Sequence, residues 1–383
     1  MKKVLVIHNQ YREIGGEDIA VQNEVEFLKK YFEVDELYFE NIIENIFSQF
    51  IYFLINKNYK SIKVLENKIN EFNPDVIYIH NTWFKASLAI ITTSLKSKAK
   101  VFIKVHNFRY YCTRFYLSRN HLKGLEFCNG CGISKNEIGL FNKYFSESFY
   151  KSLLVIRYGK KYFKILSNNN LMIFVLTKFH KNFMENLGIS KNKINVYPNF
   201  IDTQNIKKKQ QSQKYFLYAG RVSKEKGVKE LVDTFNSIEN KYGYKLKIAG
   251  EGPYKENLER KNNTSSIEFV GALSNAEVLD LIKHAKAVVT ATKLFEGQPT
   301  LLCEASSLET LSIYPSTGGI SEFFPSNYEF CFEQFNYEDL KQKIEKLINL
   351  EDTENMGKNN KIFLSDFLNE ENLIDLFKGY VSR

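Results

Sequence analysis

YFLYAGRVSKEKGVKELVDTFN, residues 215–236, decides the fold. Tyr215–Ala219 reads as a buried strand, Gly220–Gly227 as a loop and Val228–Asn236 as a helix. Strand, glycine loop, helix is how a Rossmann-type half begins. Strands at Lys245–Ala249, Ile267–Val270 and Ala287–Thr290 continue the pattern. The same opening stands upstream. Lys3–His8 (KVLVIH) is a β-branched run, Asn9–Asp18 a polar loop containing Gly15–Gly16, and Ile19–Tyr31 an amphipathic helix with Val21, Val25 and Leu28 on one face. Further strands are expected at Val34–Phe39, Val76–His80, Val101–His106 and Met172–Leu176. The alternation predicts two α/β domains with parallel sheets. The expected division is an N-terminal domain over 1–200, a polar Lys/Gln-rich linker over 201–214, a C-terminal domain over 215–365, and a final helix within 366–383 returning to the N-terminal domain. Ligands of such sheets bind at strand carboxyl ends, so the natural site is a cleft between the two domains.

Composition bounds the function. A chain of 383 residues suits two or three domains, and 44% hydrophobic with 25% charged residues excludes disorder over most of it. The longest uncharged stretch, Ile165–Thr177, is 13 residues and cannot span a membrane. MKKVLVIHNQ has too short an apolar run for a signal peptide, so a cytoplasmic location is expected. Five cysteines, an odd number, then read as thiols or metal ligands and not as a disulfide framework.

The net charge of +9 is unevenly placed. Residues 1–200 carry +12 and residues 201–383 carry −3, while residues 96–181 alone carry +14, with aromatics interleaved at Phe108–Tyr111, Phe115–Tyr116 and Tyr144–Tyr150. A basic, aromatic half fits an anionic partner: a phosphorylated substrate, an acidic membrane surface or nucleic acid.

FEGQPTLLCEA holds two carboxylates, Glu296 in a Gly/Pro loop and Glu304 about a turn inside the helix that Thr300–Ser306 should begin. The amino end of such a helix offers N–H groups and a positive dipole to an anion. In AGRVSKEKG, Arg221 and Lys226 follow a strand end, where a diphosphate needs cations. AGEGP at Ala249–Pro253, the strand end at Phe269–Gly271, and STGGISE at Ser316–Glu322 add further glycine turns.

In that order, GRVSKEKG, AGEGP, EGQPTLLCEA and STGGISE resemble the retaining glycosyltransferases of family 4, which have the GT-B fold: two Rossmann-like, doubly wound domains facing across a cleft. GGED at Gly15–Asp18, HNTWF at His80–Phe84 and HNFRYYC at His106–Cys112 are similar to a bacterial branch that builds surface polysaccharides. The resemblance implies a nucleotide-diphosphate-sugar donor held mainly by the C-terminal domain. It implies a saccharide or lipid-linked saccharide acceptor held mainly by the N-terminal domain, with the protein peripheral on the inner face of the membrane.

Residue by residue, it implies that Arg221 and Lys226 hold the diphosphate, Glu304 the ribose hydroxyls, and Glu296 the donor sugar. Thr300 and Leu301 begin the helix beneath, Gly15 and Gly16 admit the phosphate from the opposite domain, and His106 faces the sugar near the reacting carbon. Gly252 and Gly271 border the nucleobase. Two departures stand out. Ser306–Glu309 (SSLE) replaces a small, Gly-containing segment, which puts sheet packing there in question, and Tyr144 stands where a fourth cysteine is expected.

Cys112, Cys128 and Cys131 have partial zinc spacing, but a structural site takes four ligands, and only His106 or His121 could complete it, which favours an ordinary thiol-bearing loop. His8 and His80 end apparent strands and are candidates for the cleft. No D-x-D pair is present, so metal-independent transfer is expected, with no cofactor. A nucleotide-sugar epimerase of the same architecture is the alternative enzyme. A basic nucleic-acid-binding protein leaves the C-terminal glycine loops unexplained, so no nucleic-acid partner is expected. A nicotinamide dehydrogenase fails because no G-x-G-x-x-G follows the first strand.

Overall fold

The computed structural model describes residues 1–10, 16–42, 45–108, 110, 126–128, 149–168, 170–201, 212–262 and 265–382. Gly15, Cys112, Cys131, linker residues 202–211, and 111–125 and 129–148 of the basic stretch lie outside the described residues. The chain divides into two units, Met1–Phe200 with Glu370–Arg383, and Ile201–Asn369.

The first unit is built on β1 (Lys3–Gln10), β2 (Glu33–Glu40), β3 (Val76–Ile79), β4 (Lys100–Val105), β5 (Met172–Val175) and β6 (Ile194–Val196), in the order β2-β1-β3-β4-β5-β6. All neighbours are parallel; β3 and β5 are apolar throughout, and β1 and β4 carry the apolar runs Val4–Ile7 and Val101–Ile103, as a sheet covered by helices on both faces requires. The helix after β1 begins at Gly16, earlier than the apolar pattern alone suggests; Glu17 and Asp18 occupy its first turn, where acidic groups suit the dipole. Its Val21, Val25 and Leu28 pack on Val4, Val6 and Tyr78. The helix Glu370–Ser382 adds Leu373, Ile374, Phe377, Tyr380 and Val381 to the same core. This return starts at Glu370, later than the expected 366, because Phe367 and Leu368 are held in the core of the second unit.

The second unit carries β7 (Tyr215–Ala219), β8 (Lys245–Ala249), β9 (Ile267–Gly271), β10 (Ala287–Val289), β11 (Leu311–Pro315) and β12 (Cys331–Phe332), ordered β12-β11-β10-β7-β8-β9. The helix Val228–Asn236 buries Val228, Leu231, Val232 and Phe235, spaced as one helical face, against Phe216, Leu246 and Ile248. Ser306 and Ser307 are fully buried; the Ser307 hydroxyl bonds back into its own helix, donating to Cys303 O at 2.9 Å, while Ser306 Oγ has no hydrogen-bond partner among the described residues. Cys303 packs as a small apolar side chain.

Each sheet winds outward from its first strand on one side and then restarts on the other. The reversal falls between β1 and β3 in the first unit and between β7 and β10 in the second. Loops leaving the two strands at such a point diverge to opposite faces, which opens a crevice at the carboxyl edge.

Candidate active site

The crevice of the second unit is assembled from three loops. After β7 come Gly220, Arg221, a 3-10 turn at Lys224–Lys226 and Gly227. After β10 the chain runs through Thr290–Pro299 into the helix Thr300–Ser307. After β11 comes the Ser316–Gly319 turn. Lys226 Nζ lies 2.6 Å from Glu296 Oε1, and Thr292 Oγ1 donates to the same oxygen at 2.9 Å. Both partners of the ion pair are partly exposed, as ligand-binding side chains must be.

Backbone contacts hold the pair in place. Lys293 N donates to Glu225 O and Gly319 N to Glu296 O, each at 2.9 Å. Gly227 takes φ +67°, and a Cβ there would lie 2.0 Å from Ala291 O; at Gly318, φ +59°, it would lie 2.1 Å from Glu296 O. The loops before and after the Glu296 segment therefore approach backbone to backbone, which only glycine permits. Arg221 is exposed at the mouth, and its carbonyl accepts from Tyr218 OH at 2.8 Å. Val222 N donates to Glu251 O at 2.8 Å and Gly250 N to Gly271 O at 2.7 Å, which brings the turns holding Gly252 and Gly271 beside Arg221.

The helix Thr300–Ser307 has no side-chain cap. The Thr300 and Leu301 N–H groups precede its first internal bonds, Leu302 N and Cys303 N to Pro299 O, and so face the crevice end. Glu304 stands one turn in, half-buried, and burial pushes its carboxyl up to about 7. The arrangement offers two cations, a positive helix end, and two carboxylates of different character: Glu296 held by a lysine and a hydroxyl, Glu304 desolvated.

The first unit gathers imidazoles at the carboxyl edge of its own sheet. His106 follows β4, and its Nε2 lies 3.0 Å from Nδ1 of His80, which follows β3. Burial, then the neighbouring positive groups, holds both rings well below the usual imidazole range, so both are neutral and one donates N–H to the other. His8 Nε2 lies 2.8 Å from Asp18 Oδ1. Gly16 opens the helix after β1.

Of the sequence-predicted site, Arg221, Lys226, Gly252, Gly271, Glu296, Thr300, Leu301 and Glu304 all belong to the carboxyl edge of the second sheet; His106 and Gly16 belong to the first unit. Thr292, Gly318 and the His80 partner of His106 were not assigned these roles from sequence. The signal for Gly318 was present in STGG, whereas Thr292 lies in an ATK tripeptide with no distinguishing feature. Cys128 is buried, with Cys112 and Cys131 outside the described residues.

Residues 200–363 match the family model for glycosyl transferases group 1. Among curated relatives, the chain is 30% identical over 228 residues to an uncharacterized glycosyltransferase of Methanocaldococcus jannaschii, covering 58% of this chain and 62% of that one. It is 31% identical over 155 residues to the capsular polysaccharide biosynthesis glycosyltransferase CapM of Staphylococcus aureus, covering 38% of this chain and 39% of that one. The match thus spans less than two thirds of either relative. Among solved structures, the Anabaena HepE complex with UDP and glucose superposes over 100% of both chains, with TM-score 0.68 at 13% identity. Residues 200–363 are thus similar to the group 1 glycosyl transferases, on a chain whose two parallel α/β sheets have the GT-B architecture.

Proposed function

We propose that this protein is a glycosyltransferase that moves a sugar from a nucleoside-diphosphate donor to a saccharide or lipid-linked saccharide acceptor in surface polysaccharide assembly. The observation that carries this reading is the 2.6 Å pairing of Lys226 with Glu296 at the winding reversal of the second sheet, beside an uncapped helix end. The capsular relative and the UDP and glucose of the Anabaena complex support the substrate class.

In this reading Arg221, Lys226 and the Thr300–Leu301 amides neutralise the diphosphate, and their attraction grows as negative charge develops on it. Glu304 accepts the ribose hydroxyls. Glu296 orients the sugar, and the resemblance to family 4 supports a role for His106 in the reaction. The resemblance to family 4 supports retention. The bond from the anomeric carbon to the diphosphate oxygen breaks, the bond to the acceptor oxygen forms on the same face, and the departing phosphate takes the acceptor proton. With no D-x-D pair in the sequence, the protein's own cations meet the diphosphate charge, and transfer needs no divalent metal.

The test is product analysis with the donor that binds. A product anomer of the donor's configuration, formed unchanged in EDTA, is expected. An inverted anomer overturns retention, EDTA inhibition reversed by Mg²⁺ overturns metal independence, and an altered sugar nucleotide with no acceptor consumed makes the protein an epimerase.

A further inference from the structure

The helix Ile46–Ile55, IFSQFIYFLI, belongs to no part of the site described above, and its outward face is apolar. Phe47 is 74% exposed, Phe50 48%, and Ile51 and Leu54 37% each. These positions are i, i+3, i+4 and i+7, one continuous stripe along the helix. The rotation is fixed from the other side. Gln49 and Phe53 are buried, and the Phe53 ring packs on Trp83, Phe84 and Tyr158. Both ends are closed: Asn45 accepts from Ser48 N, and Asn56, in the left-handed conformation, donates its N–H to Phe53 O and Tyr52 O.

The surroundings are basic. The next helix, Tyr59–Phe72, presents Tyr59, Lys60, Lys63 and Val64 to solvent, and the Tyr59 ring meets Tyr52 edge-on. The helix Phe149–Asn168 lies alongside, with Lys161 Nζ donating to Ile55 O at 3.3 Å. Burial, then the nearby Lys57 and Arg157, lowers the pKa of Lys161, which marks a cluster of like charges at the end of the stripe. Neither 45–65 nor 149–168 contains an Asp or Glu.

We infer that this stripe and its basic rim dock on an anionic lipid bilayer, the Phe and Leu side chains entering at headgroup depth and the Lys and Arg groups meeting lipid phosphates. A ring of cations around exposed aromatics is complementary to such a surface. A second copy of the chain fits poorly, because a two-fold contact would set this positive rim against itself. Among the described residues no helix is long and apolar enough to cross a membrane, so the contact is peripheral.

The test is co-sedimentation of the full chain with vesicles of phosphatidylcholine alone or mixed with phosphatidylglycerol. The wild type is expected to bind the anionic vesicles and hardly the neutral ones. F47S/F50S should lower that binding about tenfold or more, as removal of two inserted rings implies, with an unchanged melting temperature because both positions are exposed. K57E/K60E should lose it as well. Equal and negligible binding of the wild type to both vesicles overturns the inference. So does binding that neither double variant alters, or a dimer that F47S/F50S dissociates while vesicle binding stays absent.

Discussion

Lys226 Nζ and Glu296 Oε1 are 2.6 Å apart, joined from the loops that follow β7 and β10, with Thr292 Oγ1 on the same carboxylate oxygen. A diphosphate entering the crevice competes with Glu296 for this lysine. In the proposed reading, Glu296→Gln removes the competitor and the sugar-orienting carboxylate together. Affinity for the bare nucleoside diphosphate should hold or rise, while turnover falls by about 10²–10³. Titration calorimetry against turnover of the same preparation checks the split; parallel loss of both would assign Glu296 to diphosphate binding.

Glycine placement predicts a graded stability series. Gly227→Ala and Gly318→Ala put a methyl about 2 Å from a carbonyl oxygen on backbone that L residues avoid. Each should cost more than ~3 kcal/mol, since strain and overpacking add. Gly188 shares the positive φ, +87°, but a Cβ there meets nothing within 4 Å. Gly188→Ala should cost only ~1 kcal/mol. Thermal unfolding of the three variants is the check.

Glu304 predicts a pH dependence of donor affinity. Its carboxyl sits at about 7 because of burial, so in the free protein it is half protonated near neutrality. Two ribose hydroxyls donate best to the carboxylate, so the protonated fraction must lose a proton to bind. The donor Kd should rise about tenfold per pH unit below 7 and level off above it. Glu304→Gln should bind more weakly and lose that slope. A slope that survives in the variant would move the titrating group elsewhere.

The first unit contains a buried ion pair that should couple strongly. Lys104 Nζ lies 2.7 Å from Glu24 Oε2, both side chains are 1% exposed or less, and Tyr78 OH donates to the other carboxylate oxygen at 2.7 Å. Burial lowers the lysine's pKa, and Glu24 opposes that. Lys104→Met or Glu24→Gln alone should destabilise by ~3–5 kcal/mol, because each strands a partner in the core, and the double variant should cost clearly less than the sum. Additive losses in chemical denaturation would contradict the pairing.

The same residues show what sequence reasoning reaches. YFLYA and KLKIA are strands to the residue: YFLYA is the continuous apolar run that a strand covered on both faces requires, and KLKIA alternates Lys245 and Lys247 with buried Leu246 and Ile248. INV, LSIYP and CF, the strands β6, β11 and β12, were not expected. Two are too short for any periodicity, and LSIYP carries a serine and ends in proline; Tyr328 OH bonds the backbone N and O of Ser312, while its buried Oγ has no hydrogen-bond partner among the described residues. Helix Ile46–Ile55 escaped notice because its outward face is apolar too, so the polar half of an amphipathic pattern is missing. The site motifs were legible because glycine and charge at strand ends are chemical requirements. The Lys226–Glu296 pairing was not, since the two stand 70 positions apart and meet only through the sheet order.

The most direct measurement of the central claim is thermal unfolding of the full chain against a panel of UDP-, GDP- and dTDP-sugars, repeated with Lys226→Ala and Glu304→Ala. A ligand that binds only the folded state stabilises it by RT ln(1 + [L]/Kd), about 2.7 kcal/mol at a hundredfold excess over Kd. At roughly 2–4 °C per kcal/mol for a unit of this size, the matching donor should raise the midpoint by about 5–10 °C, and both variants should abolish most of that shift. No shift with any sugar nucleotide, or an equal shift in the wild type and both variants, would contradict the account.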